Sequence, residues 1–141
     1  MPLRPGFDVD RFNRFGREFL PGFVGLLITE VSEGLVTGEL ELRKALLAPN
    51  GYLHAGAVIS FADTLAGYGC ISHLPANAQN FTTVELKANF LNTAAEGKLR
   101  GEARAVHLGR TTQVWDATVT HGEERRKLAL FRCTQLVLYP K

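Results

Sequence analysis

Apolar and polar positions along the chain change their rhythm several times, and the least polar region is the most informative. Between Lys44 and Glu85 the only residue with a formal charge is Asp63, set among Val58, Ile59, Phe61, Ala62, Leu65 and Ala66. This predicts a helix from about His54 to His73, apolar on nearly every side and therefore internal. Gly67 and Gly69 weaken such a helix by about 1 kcal/mol each relative to alanine, so close packing must favour them.

Elsewhere the period is two. After a mostly apolar run over Val24–Val31 and a Ser32-Glu33-Gly34 turn, Val36, Leu40 and Leu42 alternate with Thr37, Glu39 and Glu41. That is a hairpin. The next strand places Thr82, Val84, Leu86, Ala88 and Phe90 on one face and Thr83, Glu85, Lys87 and Asn89 on the other. Leu99–His107, Thr111–Thr120 and Leu128–Leu138 read as three more strands, separated by turns at Leu108-Gly109-Arg110 and His121–Glu124. Ahead of them all, Asp8 or Asp10 caps a short helix through Glu18, with Phe12, Phe15 and Phe19 on one face, which Pro21-Gly22 ends.

Strands joined by short turns form an antiparallel sheet, and the one long apolar helix must cover a face of it. The expected fold is α+β, a sheet wrapped around a central helix. A helix apolar all round has more surface than one sheet covers, so a second copy of the chain is expected against it, making a dimer. The 141 residues suit one domain, with a helical segment over 1–22 and a core over 23–141.

Composition narrows the function. The chain is 45% apolar and 21% charged. That balance is the one found in folded globular proteins. A net charge of +2, with no interleaving of aromatic and basic residues along a strand, gives no footprint for nucleic acid. Glycine, serine, threonine and Asp63 interrupt the longest apolar region, so no membrane span is expected. The start, MPLRPGFDVDRF, lacks the apolar core of a signal peptide, and a cytoplasmic location is expected. Two cysteines, Cys70 and Cys133, read as reduced buried thiols. Cys70 and His73 have helical spacing, yet no second Cys/His pair completes a metal site, and none is expected.

Asp63 is the candidate for chemistry, because an ionised carboxylate inside a protein must be paired or face an opening to water. The second candidate is the helix start, reached through the loop Asn50–Leu53, where His54, Ala55 and Gly56 bring backbone N–H groups without intrahelical partners. Donors fixed there can hold a developing oxyanion. Asp63 lies roughly 12 Å along the same helix from that end at the rise of an α-helix, too far for one reacting centre. In an antiparallel pair of helices, Asp63 of one subunit meets the helix start of the other.

The run NGYLHAGAVISFADTLAGYG, then TTVELKANFL and HLGRTTQVWDATVT, resembles the hotdog-fold acyl-CoA thioesterases of the phenylacetate-degradation (PaaI-like) group, over about Leu46 to Leu138. In that family a glycine, a histidine three positions on and two glycines open the central helix, and an aspartate follows the histidine by nine. Gly51, His54, Gly56 and Asp63 hold those places. Two departures stand out: Ala55 occupies a usual glycine position, and the family's loop asparagine falls at Ala48, leaving Asn50 as its substitute.

The resemblance implies hydrolysis of an acyl-CoA thioester to free acid and coenzyme A, without metal or cofactor. Asp63 acts as nucleophile or general base, the Ala55 N–H polarises the thioester carbonyl, and His54 orients loop or substrate. Thr83 bonds near the carboxylate or positions water. Arg110, backed by Arg100 and Arg104, is implied as a contact for coenzyme A phosphates, and Phe61, Tyr68, Phe81 and Phe90 as acyl-pocket lining. The assembly implied is a homotetramer of two dimers. Two other readings stand beside it: a hydratase or dehydratase of acyl thioesters on the same fold, and a non-catalytic acyl-CoA-binding protein.

Overall fold

The buried helix forms where its composition requires it. In a computed structural model, which describes all 141 residues, α1 (Val9–Gly16) and α2 (Leu20–Val24) precede the hairpin β1 (Leu26–Ser32) and β2 (Leu35–Glu41). A 3₁₀ turn (Lys44–Leu46) leads to α3 (Ala55–Ser72), followed by β3 (Asn80–Phe90), β4 (Lys98–Leu108), β5 (Thr112–His121) and β6 (Arg126–Leu138). The six strands make one antiparallel sheet in the order β1-β2-β4-β5-β6-β3. No helix is long and apolar enough to cross a membrane.

Glycines let α3 sink into this sheet. Gly38 and Gly101 are cross-strand partners, and a Cβ on either would meet Phe61 or Leu65 at 2.9 Å or less, both fully buried side chains. On the helix side, a Cβ on Gly69 would stand 2.6 Å from the Trp115 ring. Close approach thus accounts for a residue that lowers helix propensity. Phe61 belongs to this sheet-facing core, at 0% exposure, and does not border the cavity beside Asp63 for which it was expected.

Three other expectations change. Asp8 rather than Asp10 caps α1, accepting from Arg11 N–H at 2.8 Å, and the helix ends at Gly16 instead of reaching Glu18. Pro21 opens α2, since proline in the first helical turn lacks an N–H that would have no partner there. Of the three phenylalanines assigned to one face, only Phe12 is buried, while Phe15 and Phe19 are 53% and 70% exposed. Phe12 stacks on Tyr68 of α3 with ring centroids 4.2 Å apart. The chain's own N-terminal segment therefore covers part of the helix face that the sheet leaves bare.

The alternation of β3 is broken as well. The β3–β6 register runs Phe81↔Val137 and Thr83↔Gln135, then shifts between Thr83 and Glu85 to continue Leu86↔Cys133, Ala88↔Phe131 and Phe90↔Ala129. Directly paired residues share a face. Because Val137, Gln135, Cys133, Phe131 and Ala129 are all buried, Phe81 and Thr83 face inward together with Leu86, Ala88 and Phe90. A bulge inserts one residue and reverses the phase, so Thr82 and Val84 do not share the inner face with Leu86. The strand is also an edge, with Val84 56% and Phe90 45% exposed.

A fully buried histidine anchors the far end of α3. His73 Nε2 accepts from Gly34 N–H at 2.9 Å, so its proton sits on Nδ1 and is donated to Gly69 O at 2.8 Å. Gln113 Nε2 donates to His73 O, and Trp115 Nε1 donates to Gln113 Oε1, each at 2.9 Å. Both ring nitrogens are engaged, and burial pushes the adjacent Cys70 thiol up to about 12.

Burial also lowers the pKa of His73 below its ordinary 6.5, against smaller raising effects from the Gly69 carbonyl and Glu33. The unfolded chain then takes up the proton first, so the contribution of His73 is complete above about 6.5 and is lost as pH falls below it. Thermal denaturation should show a Tm a few degrees lower at about pH 5.5 than at about pH 7, and His73→Gln should lack that part of the dependence. Equal slopes for parent and variant would refute the assignment.

Candidate functional site

The loop before α3 is held by its own polar groups. Asn50 Oδ1 accepts from Tyr52 N–H at 3.1 Å, Ala48 N–H donates to Tyr52 O at 2.7 Å, and Gly51 adopts the left-handed φ of 88°. Asn50 is exposed, and its side chain closes this turn. Thr93 Oγ1 accepts from Leu53 N–H at 3.2 Å, tying the loop to the segment after β3.

His54 is the N-cap of α3. Its Nδ1 accepts from Gly56 N–H at 2.7 Å, and its carbonyl takes the Ala57 and Val58 N–H groups. The Ala55 N–H is the first amide of the helix left without a partner inside the chain. It lies at the positive end of the helix, where an oxyanion is favoured. Gly56 matters as a donor that holds His54, which is a different task from the one its neighbour is placed to perform.

Asp63 sits two turns further on, half-buried, with Oδ1 sealed from solvent and lacking any hydrogen-bond partner. Burial raises its pKa above the ordinary 3.8, and no cation pairs with it. An orphaned buried oxygen is rare and calls for a functional or solvent-linked explanation. The Asp63 residue also borders a cavity of about 580 Å³ walled by Tyr68, Phe81, Phe7 and Phe12. Phe81 lies over Gly67, where a Cβ would meet its ring at 3.1 Å, so the helix glycine makes room for this wall.

Thr83 reaches the same side through the β3 bulge. Its hydroxyl donates to Gln135 Oε1 at 2.8 Å, and Gln135 Nε2 donates to Cys133 Sγ at 3.3 Å. The charge of Asp63 helps raise the Cys133 thiol to about 12, burial being the larger cause. Asp63, Cys133, Gln135 and Thr83 thus form one neighbourhood between α3 and the inner face of β6–β3. Gln135 was not singled out from the sequence. The available signal was its place between Cys133 and Val137 in a strand whose odd positions point inward.

The arginines expected at the pocket mouth are elsewhere within this chain. Arg110 is exposed in the β4–β5 turn, beside a separate hollow bordered by Pro75, Asn77 and Tyr139, and its carbonyl accepts from the Tyr139 hydroxyl at 2.5 Å. Arg100 and Arg104 alternate with Gly101 and Ala103, which face α3, so they project from the opposite face of the sheet. Arg104 is paired there with Glu102. The N-terminal segment instead brings Arg4 and Arg11 to the cavity wall, positions that carried no sequence signal.

The site features are thus a half-buried carboxylate in the middle of α3, a cavity with aromatic walls beside it and, at the start of α3, an unpartnered amide donor. The family model described as the thioesterase superfamily matches residues 50–127. A 1,4-dihydroxy-2-naphthoyl-CoA hydrolase of Listeria monocytogenes is 32% identical, with 79% of this chain and 89% of the relative covered. The proofreading thioesterase EntH of Klebsiella pneumoniae is 33% identical, over 73% of this chain and 74% of the relative. Among solved structures, a mutant thioesterase of Pseudomonas aeruginosa superposes with a TM-score of 0.92 at 25% identity, covering 99% of this chain and all of that one. With the match spanning more than half of its length, the chain belongs to the thioesterase superfamily, the hotdog-fold thioester hydrolases.

Proposed function

We propose that this protein hydrolyses an aromatic acyl-CoA thioester, with Asp63 as the reacting carboxylate and the Ala55 N–H of a partner subunit as the oxyanion donor. The observation that supports this most is a half-buried Asp63 in the wall of an aromatic chamber, with one carboxylate oxygen sealed and partnerless. A carboxylate deprived of water and of counter-charge is a stronger base and nucleophile than one in solution. Flat rings at Phe12, Tyr68 and Phe81 favour a flat acyl group. A naphthoyl thioester, the substrate named for the Listeria relative, is of that kind.

In this reading the thioester carbonyl lies between the two helix features. Negative charge develops on its oxygen against the Ala55 N–H and the positive end of the helix. Asp63 either takes a proton from water as that water attacks, or attacks the carbonyl carbon itself to give an anhydride that water then cleaves. In both cases the carbon–sulfur bond breaks and coenzyme A departs as the thiolate. His54 holds the helix start through Gly56. Two features favour a site shared between subunits. One is the free, exposed edge of β3, open to pairing with another chain. The other is the separation of Ala55 from Asp63 along one helix, roughly 12 Å at the α-helical rise. Release of free thiol from a panel of aliphatic and aromatic acyl-CoAs tests the reading, and a panel with no turnover would remove it.

Thr83 has a defined part in this scheme. Because its hydrogen is directed to Gln135, the hydroxyl offers only lone pairs and can accept a hydrogen bond from the attacking water, whose proton goes to Asp63. Replacing Gln135 by the apolar, similar-sized methionine should lower kcat about tenfold with little change in KM. In a Thr83→Val background the same change should have no further effect on kcat. Equal losses in both backgrounds, with equal falls in Tm, would give Gln135 a purely structural role.

A further inference from the structure

The cavity beside Asp63 has a second polar end that the reaction above leaves unused. Arg4 and Arg11 are both half-buried in its wall, and neither belongs to the ion pairs of the chain, which join Lys98 to Glu39, Arg104 to Glu102 and Arg132 to Asp116. The Phe7 ring gathers both guanidinium groups, Arg11 Cζ at 4.1 Å from its centroid and Arg4 Cζ at 5.7 Å. Arg11 Nη1 also donates to Gly6 O at 3.1 Å.

Their position along the cavity follows from one backbone bond. Arg4 N–H donates to the carbonyl of Ser72, the last residue of α3, at 2.8 Å. Ser72 lies nine residues beyond Asp63, roughly 13 Å along the axis at the rise of an α-helix. The Arg4 backbone is therefore held at the C-terminal end of α3, well removed along the helix from Asp63, and Phe12, Tyr68 and Phe81 line the same cavity.

Half-buried cations with no counter-charge are expensive unless water or an anion meets them, and a guanidinium matches a carboxylate with two parallel hydrogen bonds. Taking the hydrolase reading as its basis, we infer that the acyl group accepted here is aromatic and bears a carboxylate remote from the thioester, held by Arg4 and Arg11. The carbonyl end reaches Asp63, the ring lies against the aromatic wall, and the remote anion closes the cationic end. Both arginines lie outside residues 50–127, the span shared with the family model, so this selectivity resides in the N-terminal segment.

The test compares 4-carboxybenzoyl-CoA with benzoyl-CoA, on the parent and on the Arg4→Gln, Arg11→Gln double variant. The parent should favour the carboxylated thioester by roughly tenfold or more in kcat/KM, and the double variant should bring that ratio towards one. A parental ratio near one, or a ratio unchanged in the variant, would overturn the assignment. The same pair as N-acetylcysteamine thioesters, which lack phosphates, should keep the preference. An equal fall in kcat/KM for both coenzyme A thioesters in the double variant, absent with the N-acetylcysteamine pair, would assign the arginines to the nucleotide phosphates instead and overturn the proposal. Calorimetry with free terephthalate separates the two levels of inference: binding to the parent and not to the double variant supports the subsite even if no thioester is turned over. Equal binding to both proteins would overturn it, whatever the activity.

Discussion

Asp63→Asn should fold, melt at the parental temperature or a few degrees above it, and lose roughly a thousandfold or more of kcat. Both halves of this expectation come from the same burial. Desolvation raises the pKa of Asp63 above 3.8, so the folded state holds the proton more tightly than the unfolded chain. As pH rises from 3.8 through the folded pKa, ionisation in the folded state then costs stability. A neutral amide of the same shape removes that cost, and it can neither take a proton from water nor attack a carbonyl. Parental turnover should also fall on the acid side, as Asp63 becomes protonated, with its midpoint above the ordinary carboxylate value. A folded Asp63→Asn with near-parental turnover would end the proposed mechanism. Single turnover in ¹⁸O-water then distinguishes the two roles of the carboxylate, since only the nucleophile can acquire the label on its own side chain.

Ala55→Pro should lower kcat by about two to three orders of magnitude while preserving the fold. Proline at the first helical position removes the N–H and nothing else that the helix needs. A residue that precedes proline is driven towards extended backbone. His54 already has that conformation. Mixing this variant with Asp63→Asn tests whether the site is shared. If Asp63 of one subunit works with Ala55 of the other, each mixed dimer has one intact site out of two. Random exchange makes half of the dimers mixed, so activity should return to about a quarter of the parental value. A site contained in one subunit would stay inactive in every combination. Retained activity in Ala55→Pro alone, measured by the same thiol release, would move the oxyanion donor elsewhere.

How much was legible beforehand varied with the kind of information each element carried. The bounds of α3 came within a residue of those expected, because an uncharged apolar run between a loop and a proline is a local property. Asp63 stood out for the same reason: one charge in such a run is anomalous without any knowledge of neighbours. The face assigned to each aromatic was less accessible. A helix apolar all round has no polar side to set its rotation, so Phe61 and Tyr68 looked equivalent, yet one is locked over Gly38 and Gly101 and the other lines the cavity. Arginines were similarly uninformative. Arg110 and Arg4 differ only in what the fold places beside them.

Order and type of the strands, the existence of one interior helix, and the oddity of a lone acid within it were all determined by residue chemistry along the chain, since hydrophobic period is written locally. The tertiary structure alone decided that a bulge in β3 turns Thr83 and Phe81 inward, that Gln135 accepts the hydrogen bond of the threonine hydroxyl, and that the N-terminal segment walls the chamber. Thr82 and Thr83 are alike in sequence. Which of them faces the helix depends on one extra residue in the pairing with β6, a contact made across some fifty positions of chain.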